Sequence, residues 1–333
     1  MTDIPITTDP QRGGTARSLA ARLVPSTLFQ DPAAFRPSPG SAYLYGETDE
    51  ARTLHMNAWV ADGSVKAHLL QPGPTAFRVD LGGGLQSISL HSDTALAGFW
   101  DGVDRDLVYV DITGLPHHTW APLVASAVRS GRRVRVVYVE PDTYTRAREP
   151  HQLYDLSEAG LVIRQLPGFT SVTPTSGASS FVPILGFEDA RFGFVLNEVD
   201  PKSATRVYPI IGVPGFRPEY PFEAYRANQM TLTRAPHNRF SRNVEFADAS
   251  CPFRLYYTLT DIAAKHPGEV MRVGLLGTKP HALGAVLYAL AHGPTLVELV
   301  YDNPRRKKDR TGGTHRLWIY HLSAFGLPST AAS

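Results

Sequence analysis

The chain has 333 residues, of which 43% are hydrophobic and 10% aromatic, and this composition excludes wholesale disorder. Its length exceeds a typical single hydrophobic core, which predicts two lobes or one enlarged domain. The formal net charge of +2 excludes a uniformly basic surface for nucleic acid, although a local basic patch is compatible with it. Cys251 is the only cysteine, so an internal disulfide and a thiolate metal cluster are both excluded.

The sequence shows neither a membrane anchor nor a secretion signal. No uninterrupted run of about eighteen apolar residues occurs, so we expect no membrane-spanning helix. Residues 1–14 lack the apolar core and the cleavage site of a secretory signal peptide. A single cysteine suits a reducing compartment. Together these features lead us to expect a cytoplasmic protein without a membrane partner.

The pattern of apolar and turn-forming residues divides the chain into four parts. Residues 1–50 are rich in proline, glycine, serine and threonine, and we predict an extended amino-terminal arm. Residues 51–165 and 181–330 alternate between short apolar runs and helical patterns, which predicts a Rossmann-like α/β lobe in each. Residues 166–180 are turn-rich and are predicted to form a linker or a mobile loop. The predicted fold is α/β with a mostly parallel sheet and helices on both faces, either continuous or built as two Rossmann-like halves.

The clearest unit of the sequence is a strand, a helix and a second strand. Residues 107–112 form a β-branched run that is apolar except for Asp111, as expected of a strand buried on both faces. Residues 117–130 carry apolar side chains at helical spacing, and residues 134–139 form another buried strand. Such a succession predicts two parallel strands joined by a right-handed crossover.

Further strands and two helices are predicted in the rest of the chain. The strands are Phe181–Phe187, Val207–Val213, Val270–Leu276, Leu296–Tyr301 and Leu317–His321. The helices cover 251–266 and 280–292. Ser250 and Thr278 are placed to cap their amino ends, because serine and threonine hydroxyls accept hydrogen bonds from free amides there.

Two strand-end segments share a pattern of apolar residues, glycine and proline. Residues 210–220 read IIGVPGFRPEY, and residues 275–285 read LLGTKPHALGA. The similarity is compatible with two related half-units, and the alternative is convergence on the chemistry of strand ends.

The candidate ligand-binding residues are those that directly follow predicted strands. In an open parallel sheet, ligands bind at the carboxyl ends of the strands, near the point where strand order reverses. By this rule the ligand-binding candidates are Thr113, Gly215, Arg217, Gly277, Thr278, Lys279, His281, Asp302 and Arg305.

The best single motif is the segment 277–281, which opens the last helix. Gly277 allows close approach of the backbone, Thr278 offers a hydroxyl, and the free amides of the helix start favour an anion. Lys279 adds a full positive charge. The segment therefore predicts a phosphate site, although the spacing of a P-loop is absent. The alternative is a simple helix cap with a solvated lysine.

The run VGLLGTKPHALGAVLYAL, residues 273–290, resembles the loop-and-helix signature of CARF domains, which are Rossmann-like sensors of cyclic oligoadenylates in CRISPR-linked defence. In that family a Gly-Thr-Ser-Pro-like turn leads into a helix ending in Leu-Tyr-Ala-Leu. Residues 277–278, Pro280 and residues 287–290 match this pattern, while Lys279 stands where the family has a small polar residue. The resemblance implies a nucleotide-sensing domain, and it covers 18 of the 333 residues.

A second candidate site is the basic segment 302–313, which lies between two predicted strands. It carries five basic residues between Arg305 and Arg310. Such density can bind the phosphates of a small ligand or of a nucleic acid. The alternative is a solvated hairpin loop whose charges keep a sheet edge from aggregating.

Acidic residues at strand ends are the catalytic candidates. Asp111, Glu188 and Asp189 could serve as general bases or hold a metal ion if their strands are neighbours, as carboxylates do in many α/β hydrolases. The alternative is that they are ordinary caps and turn residues. The sequence contains no His-Glu-x-x-His or Gly-x-Ser-x-Gly motif, and it identifies neither a cofactor nor a particular metal.

Three functional hypotheses follow. The first is a protein that binds a nucleotide or a nucleotide-derived signal, acting as a sensor or partner subunit of a multi-protein system such as antiviral defence. The second is a nucleotide-processing hydrolase or transferase that uses the strand-end carboxylates. The third is a non-catalytic structural or interaction component.

Overall fold

The computed structural model describes residues 22–58, 65–147, 153–158, 162–170, 179–199, 206–233 and 240–327. Within these ranges the strands are β1 (Ser26–Phe29), β2 (Ala42–Tyr45), β3 (Val65–His68), β4 (Ala76–Asp80), β5 (Leu85–Ser89), β6 (Leu107–Asp111), β7 (Arg133–Val139), β8 (Thr143–Tyr144), β9 (Arg164–Gln165), β10 (Ser179–Ile184), β11 (Arg206–Val207), β12 (Ile210–Gly212), β13 (Glu245–Ala247), β14 (Val270–Leu275), β15 (Val297–Tyr301), β16 (Thr311–Gly312) and β17 (Leu317–His321). The α-helices are α1 (Asp93–Val103), α2 (His117–Arg129), α3 (Asp189–Val199), α4 (Tyr220–Ala227), α5 (Gln229–Thr233), α6 (Pro252–Lys265), α7 (Lys279–His292) and α8 (Leu322–Phe325). The predicted α/β class is confirmed.

The first sheet has the strand order β1-β17-β7-β6-β2-β3. Strands β3, β2, β6 and β7 run parallel, whereas β17 and β1 are antiparallel additions at one side. Because β3 and β6 lie on opposite sides of β2, strand order reverses at β2. The parallel part of the sheet is buried on both faces, which explains why β6 and β7 read as almost continuous apolar runs.

The second sheet has the strand order β13-β12-β10-β14-β15-β9, with the short β11 also paired to β10. Its strands run parallel except for β9, which is antiparallel to β15. Strand order reverses at β10, since β12 and β14 lie on opposite sides of it. Loops that follow β10 and β14 therefore border a crevice at the carboxyl ends of the strands.

The strand pairing divides the chain differently from the four predicted parts. Strand β2 lies within the predicted arm, 1–50, yet it belongs to the first sheet and pairs with β6 on one side and β3 on the other. Strand β17 belongs to the predicted second lobe, 181–330, but pairs with β7 of the first sheet. Strand β9, in the predicted first lobe, pairs with β15 of the second sheet. Of the predicted linker, 166–180, residues 171–178 lie outside the described residues.

Most predicted elements agree with the structure to within a few residues at each end. Thr278 caps α7 as predicted, because its hydroxyl accepts a hydrogen bond from the amide of His281. The prediction for α6 was wrong by one residue. Its cap is Cys251, whose sulfur accepts from the amide of Arg254, while the Ser250 hydroxyl bonds to Asp248 instead. The predicted strand 207–213 is divided into β11 and β12.

One hydrophobic core joins the two sheets. It includes Leu44 and Trp120 from the first sheet and its covering helix, and Val182 and Leu283 from the second sheet and its covering helix. All four side chains are almost completely buried. The two sheets with their helices therefore pack against each other and hold the loops between them in fixed positions.

The structure contains an internal correspondence other than the one between segments 210–220 and 275–285. Segment 210–220 begins with β12, and segment 275–285 begins at the end of β14 in the same sheet. The counterpart of 275–285 lies instead in the first sheet, where β6, a glycine turn, α2 and β7 match β14, a glycine turn, α7 and β15. A Cβ atom on Gly114 would lie 1.7 Å from the carbonyl oxygen of Gly46, and one on Gly277 would lie 2.8 Å from Ile184. Glycine is required at both turns because neighbouring strand-end loops approach too closely for a side chain.

Candidate functional site

A cavity of about 130 Å³ lies between the two sheets. Tyr138 of β7 lines it from the first sheet, while Leu275 of β14 and Tyr301 of β15 line it from the second. The glycine turn before α7 also reaches it. The cavity is therefore formed by loops at the carboxyl ends of strands, where open α/β sheets bind ligands.

Three guanidinium groups at this cavity act on the carboxylate of Glu50, and two of them form ion pairs with it. Glu50 lies 2.6 Å from an Arg52 nitrogen and 2.9 Å from an Arg310 nitrogen. Burial alone would raise the pKa of Glu50, but Arg52, Arg310 and Arg306 together hold that pKa well below its usual range. The carboxylate is ionised at neutral pH and balances one of the three positive charges.

Arg306 is the guanidinium of this group that has no carboxylate of its own. Within the described ranges it makes no ion pair, and its Nη2 atom lies 3.5 Å from the carbonyl oxygen of Leu115. Burial, and after it the charge of Arg310, lower the pKa of Arg306 to about 10. The folded protein therefore holds a partly buried positive charge at an energetic cost, in a position where an anion would stabilise it.

Lys279 is bound to the backbone of the first sheet. Its side-chain nitrogen donates to the carbonyl oxygens of Ile112, Thr113 and Leu115, the last two at 2.6 and 2.7 Å. An ammonium group has three donors, so these three acceptors satisfy it. Burial, and then the charge of Arg306, lower the pKa of Lys279. Lys279 lines the cavity, and its donors hold the turn before α2 in place.

A mostly buried ion pair also borders the cavity. Arg191 donates to both carboxylate oxygens of Asp302, at 2.6 and 2.7 Å, and lies 3.6 Å from Glu188. Glu188 also accepts hydrogen bonds from the amide of Leu156 and the hydroxyl of Ser157. Arg191 is thus neutralised, which distinguishes it from Arg306.

His117, the first residue of α2, also lines the cavity. It is 6% exposed, and neither ring nitrogen has a hydrogen-bond partner among the described residues. Its ring packs against Tyr301, with 4.6 Å between the ring centres, and against Trp120 at 5.4 Å. Burial, followed by the positive charges of Lys279 and Arg306, lowers the pKa of His117 well below its usual value. The imidazole is neutral at physiological pH.

Aromatic rings of strand β8, of the loop after β10 and of helix α4 form another part of the wall. Tyr144, Phe187 and Tyr220 line the cavity and contact one another with ring centres 5.3 to 5.7 Å apart. Tyr154 stacks on Phe187 from behind at 4.4 Å. Such rings bind flat heterocycles by stacking, and they exclude water from neighbouring charges.

The structure places the predicted ligand-binding residues in two groups. Gly215, Gly277, Thr278 and Lys279 line the cavity. The others are engaged elsewhere in the protein. The Thr113 hydroxyl accepts a hydrogen bond from the amide of Val139, and the His281 ring bonds to the carbonyl oxygen of Asp248. Arg217 forms an ion pair with Asp142, and Asp302 forms one with Arg191. Arg305 is exposed. Within the basic segment, Arg306 and Arg310 reach the cavity in place of Arg305.

The predicted catalytic carboxylates do not form a cluster. Asp111 accepts a hydrogen bond from the Tyr43 hydroxyl at 2.7 Å and lies 3.4 Å from His55, inside the first sheet. Asp189 begins α3 and accepts from the amide of Thr231. Glu188 bonds to a third set of groups, and no three His, Cys, Asp or Glu side chains of the described part of the chain lie close enough to hold a metal ion.

We predict that His281 makes the stability of the fold depend on pH. Burial lowers the pKa of His281 to about 4, against 6.5 in an unfolded chain. The stability contributed by its neutral ring is therefore complete above pH 6.5 and is lost as the pH falls from 6.5 towards 4. His281→Gln keeps a donor for Asp248 but does not titrate. Between about pH 7.5 and 5, urea unfolding should show wild type losing roughly 2 kcal/mol more than this variant. Equal losses would contradict the assignment.

Sequence reasoning missed several residues that line the cavity. Arg52 lies in a short turn that was assigned to no element, and Arg191 lies in the unpredicted helix α3. Tyr144 lies in the short strand β8 and Tyr220 begins α4, two elements that were not predicted. The only sequence signal for Arg306 is that it belongs to the basic segment 302–313. That signal does not show which basic residues of the segment face the cavity.

The remaining observations concern membrane-spanning helices and similarity to known proteins. Within the described ranges, no helix has both the length and the apolar character to cross a bilayer. No model of a known protein family matches the chain, and neither does the sequence of any curated protein.

Proposed function

We propose that the protein binds a nucleotide or a nucleotide-derived signal in the cavity between its sheets. The observation that carries the proposal is the arrangement of Arg52, Arg306 and Arg310 around the single carboxylate of Glu50. Their excess positive charge lies in a partly buried cavity, where a guanidinium group binds phosphate more strongly than at a solvated surface. A phosphate group would supply the missing negative charge.

The cavity walls support a ligand that also carries a flat heterocycle. Tyr144, Phe187 and Tyr220 present aromatic rings beside the guanidinium groups, and stacking on such rings is how proteins commonly hold a nucleobase. The reversal of strand order at β10 supports a Rossmann-like arrangement for the second sheet, and proteins with that arrangement bind nucleotides at such a position.

A sensor or partner subunit is the role that we propose. The segment that resembles CARF domains, 273–290, covers β14, the glycine turn and α7, and its turn lines the cavity. Loops of both sheets meet at the cavity, so a ligand that binds there would change how the two sheets are held together. Such a change can be passed to a partner protein, in keeping with a role in antiviral defence.

The structure offers less support for an enzyme. The rival hypothesis uses strand-end carboxylates, such as Asp111 and Glu188, as general bases or as metal ligands. Each carboxylate is instead bound to a different set of neighbours, and Asp111 does not line the cavity. We therefore propose binding without turnover.

A ligand screen tests the proposal. Thermal unfolding of the full chain would be followed with inorganic phosphate, mononucleotides and cyclic oligonucleotides, and the purified protein would be analysed by mass spectrometry for bound nucleotides. At about a hundred times its Kd a ligand adds roughly 2.7 kcal/mol to stability, which is several degrees in Tm. We expect such a rise with a nucleotide, and no product with or without Mg²⁺. No rise with any compound would contradict the proposal.

A further inference from the structure

We propose that His117 recognises the base of the bound ligand through a hydrogen bond made by its imidazole ring. This inference rests on the proposed function, and it adds a group that discriminates between ligands to the cationic groups that hold the phosphate. His117 lines the same cavity as Arg306 and is connected to it through Leu115, whose carbonyl oxygen lies 3.5 Å from the Arg306 guanidinium.

The hydrogen-bonding groups of His117 are buried without a partner. The side chain is 6% exposed, and within the described residues neither Nδ1 nor Nε2 makes a hydrogen bond. A neutral imidazole has one donor and one acceptor, and burying either without a partner costs free energy. Most buried polar atoms are paired, so an unpaired ring at a cavity wall indicates a partner supplied from within the cavity.

Packing holds the ring in place. Tyr301 and Trp120 contact it from different directions, at 4.6 and 5.4 Å between ring centres. The backbone before His117 is also held, because Lys279 donates to the carbonyl oxygens of Ile112, Thr113 and Leu115. The ring therefore cannot turn easily towards another protein group, and its position is set before a ligand arrives.

The charges around His117 determine which part of a ligand it can contact. Burial is the main cause of the lowered pKa of His117. The nearby positive charges of Lys279, Arg306 and Arg191, and then His118, lower that pKa further, so the imidazole is uncharged. A neutral ring adds no charge for a phosphate, which Arg306 and Arg310 bind better. It suits the edge of a nucleobase, where neutral donors and acceptors alternate. The base-dependent part of binding should consequently be the same at about pH 6 and pH 8, since the ring does not titrate in that range.

The test compares ligands that share a phosphate but differ in the base. Wild type and His117→Phe would be titrated with AMP, GMP, CMP, UMP, ribose 5-phosphate and inorganic phosphate, with Tm as the readout. In wild type we expect at least one nucleotide to raise Tm clearly more than ribose 5-phosphate does. In His117→Phe, which keeps a ring but has no polar atom, we expect all five sugar phosphates to give about the same rise. The ligand-free Tm of this variant should be unchanged or higher.

A second variant and the pattern of failure keep the test decisive. His117→Gln retains a donor and an acceptor and should recover part of the preference for a base. The inference is overturned if His117→Phe keeps the full preference, or if wild type binds nucleotides no better than ribose 5-phosphate. A wild type that responds neither to these six compounds nor to the cyclic oligonucleotides of the ligand screen overturns the proposed function as well, so the two failures are distinguishable.

Discussion

Arg306→Ala is expected to weaken the binding of a phosphorylated ligand by about 3 kcal/mol, roughly a hundredfold in Kd. Arg306 is the guanidinium at the cavity without a carboxylate of its own, so the ligand's phosphate is its natural partner. The ligand-free protein should be as stable as wild type or more stable, because the variant removes a charge that the fold disfavours. Isothermal titration with the best ligand from the screen, and Tm without it, measure both effects.

Arg305→Ala is the matched control for this experiment. It removes the same side chain one position earlier in the chain, where the residue is exposed and does not line the cavity. We expect its Kd to stay within about twofold of wild type, since exposed charges outside a site contribute little. Equal losses in the two variants would show that the basic segment acts through its overall charge, and the assignment of Arg306 would be wrong.

The second large effect concerns stability. Asp302→Asn is expected to destabilise the fold by about 3 kcal/mol or more, because it leaves Arg191 buried without its ionic partner. Asp302 is fully buried and accepts two hydrogen bonds from Arg191. Glu188, at 3.6 Å, compensates only part of the loss. Urea unfolding near pH 7.5 measures the change in the free energy of unfolding.

An exposed ion pair of the same length provides the control. Arg133 and Asp106 also lie 2.6 Å apart, but both side chains are about two-thirds exposed. Asp106→Asn should cost at most about 1 kcal/mol, since water already solvates both charges. If the two variants lose the same stability, the Arg191–Asp302 pair is not the buried constraint described above.

The sequence predicted the elements of this fold well because the signals for them are local. Strand β6 and helix α2 were identified from apolar runs and helical spacing, which depend on which faces are buried. The Thr278 cap was likewise evident, since a hydroxyl before a proline-containing first turn is a short-range pattern. The cap of α6 was missed because cysteine is an unusual cap, and Ser250 beside it offered a commoner one.

The sequence also directed attention to the carboxyl ends of the parallel strands, and four of the candidate residues line the cavity found there. It could not determine which of those residues face the cavity. Lys279 was predicted as a free positive charge, yet three carbonyl oxygens of a distant loop satisfy it. Arg305 and Arg306 are adjacent in a segment without periodicity, and only the packing of that segment distinguishes the exposed one from the one at the cavity.

By itself, then, the sequence determined the α/β class, the positions of most strands and helices, and the glycine turn at which α7 begins. Only the tertiary structure decided that Glu50, Arg52, Arg306 and Arg310 form one charged group, and that His117 lies beside it. The physical reason is distance along the chain. These residues are separated by up to about 260 positions, and their contacts depend on how the two sheets pack. Local periodicity carries no information on that packing.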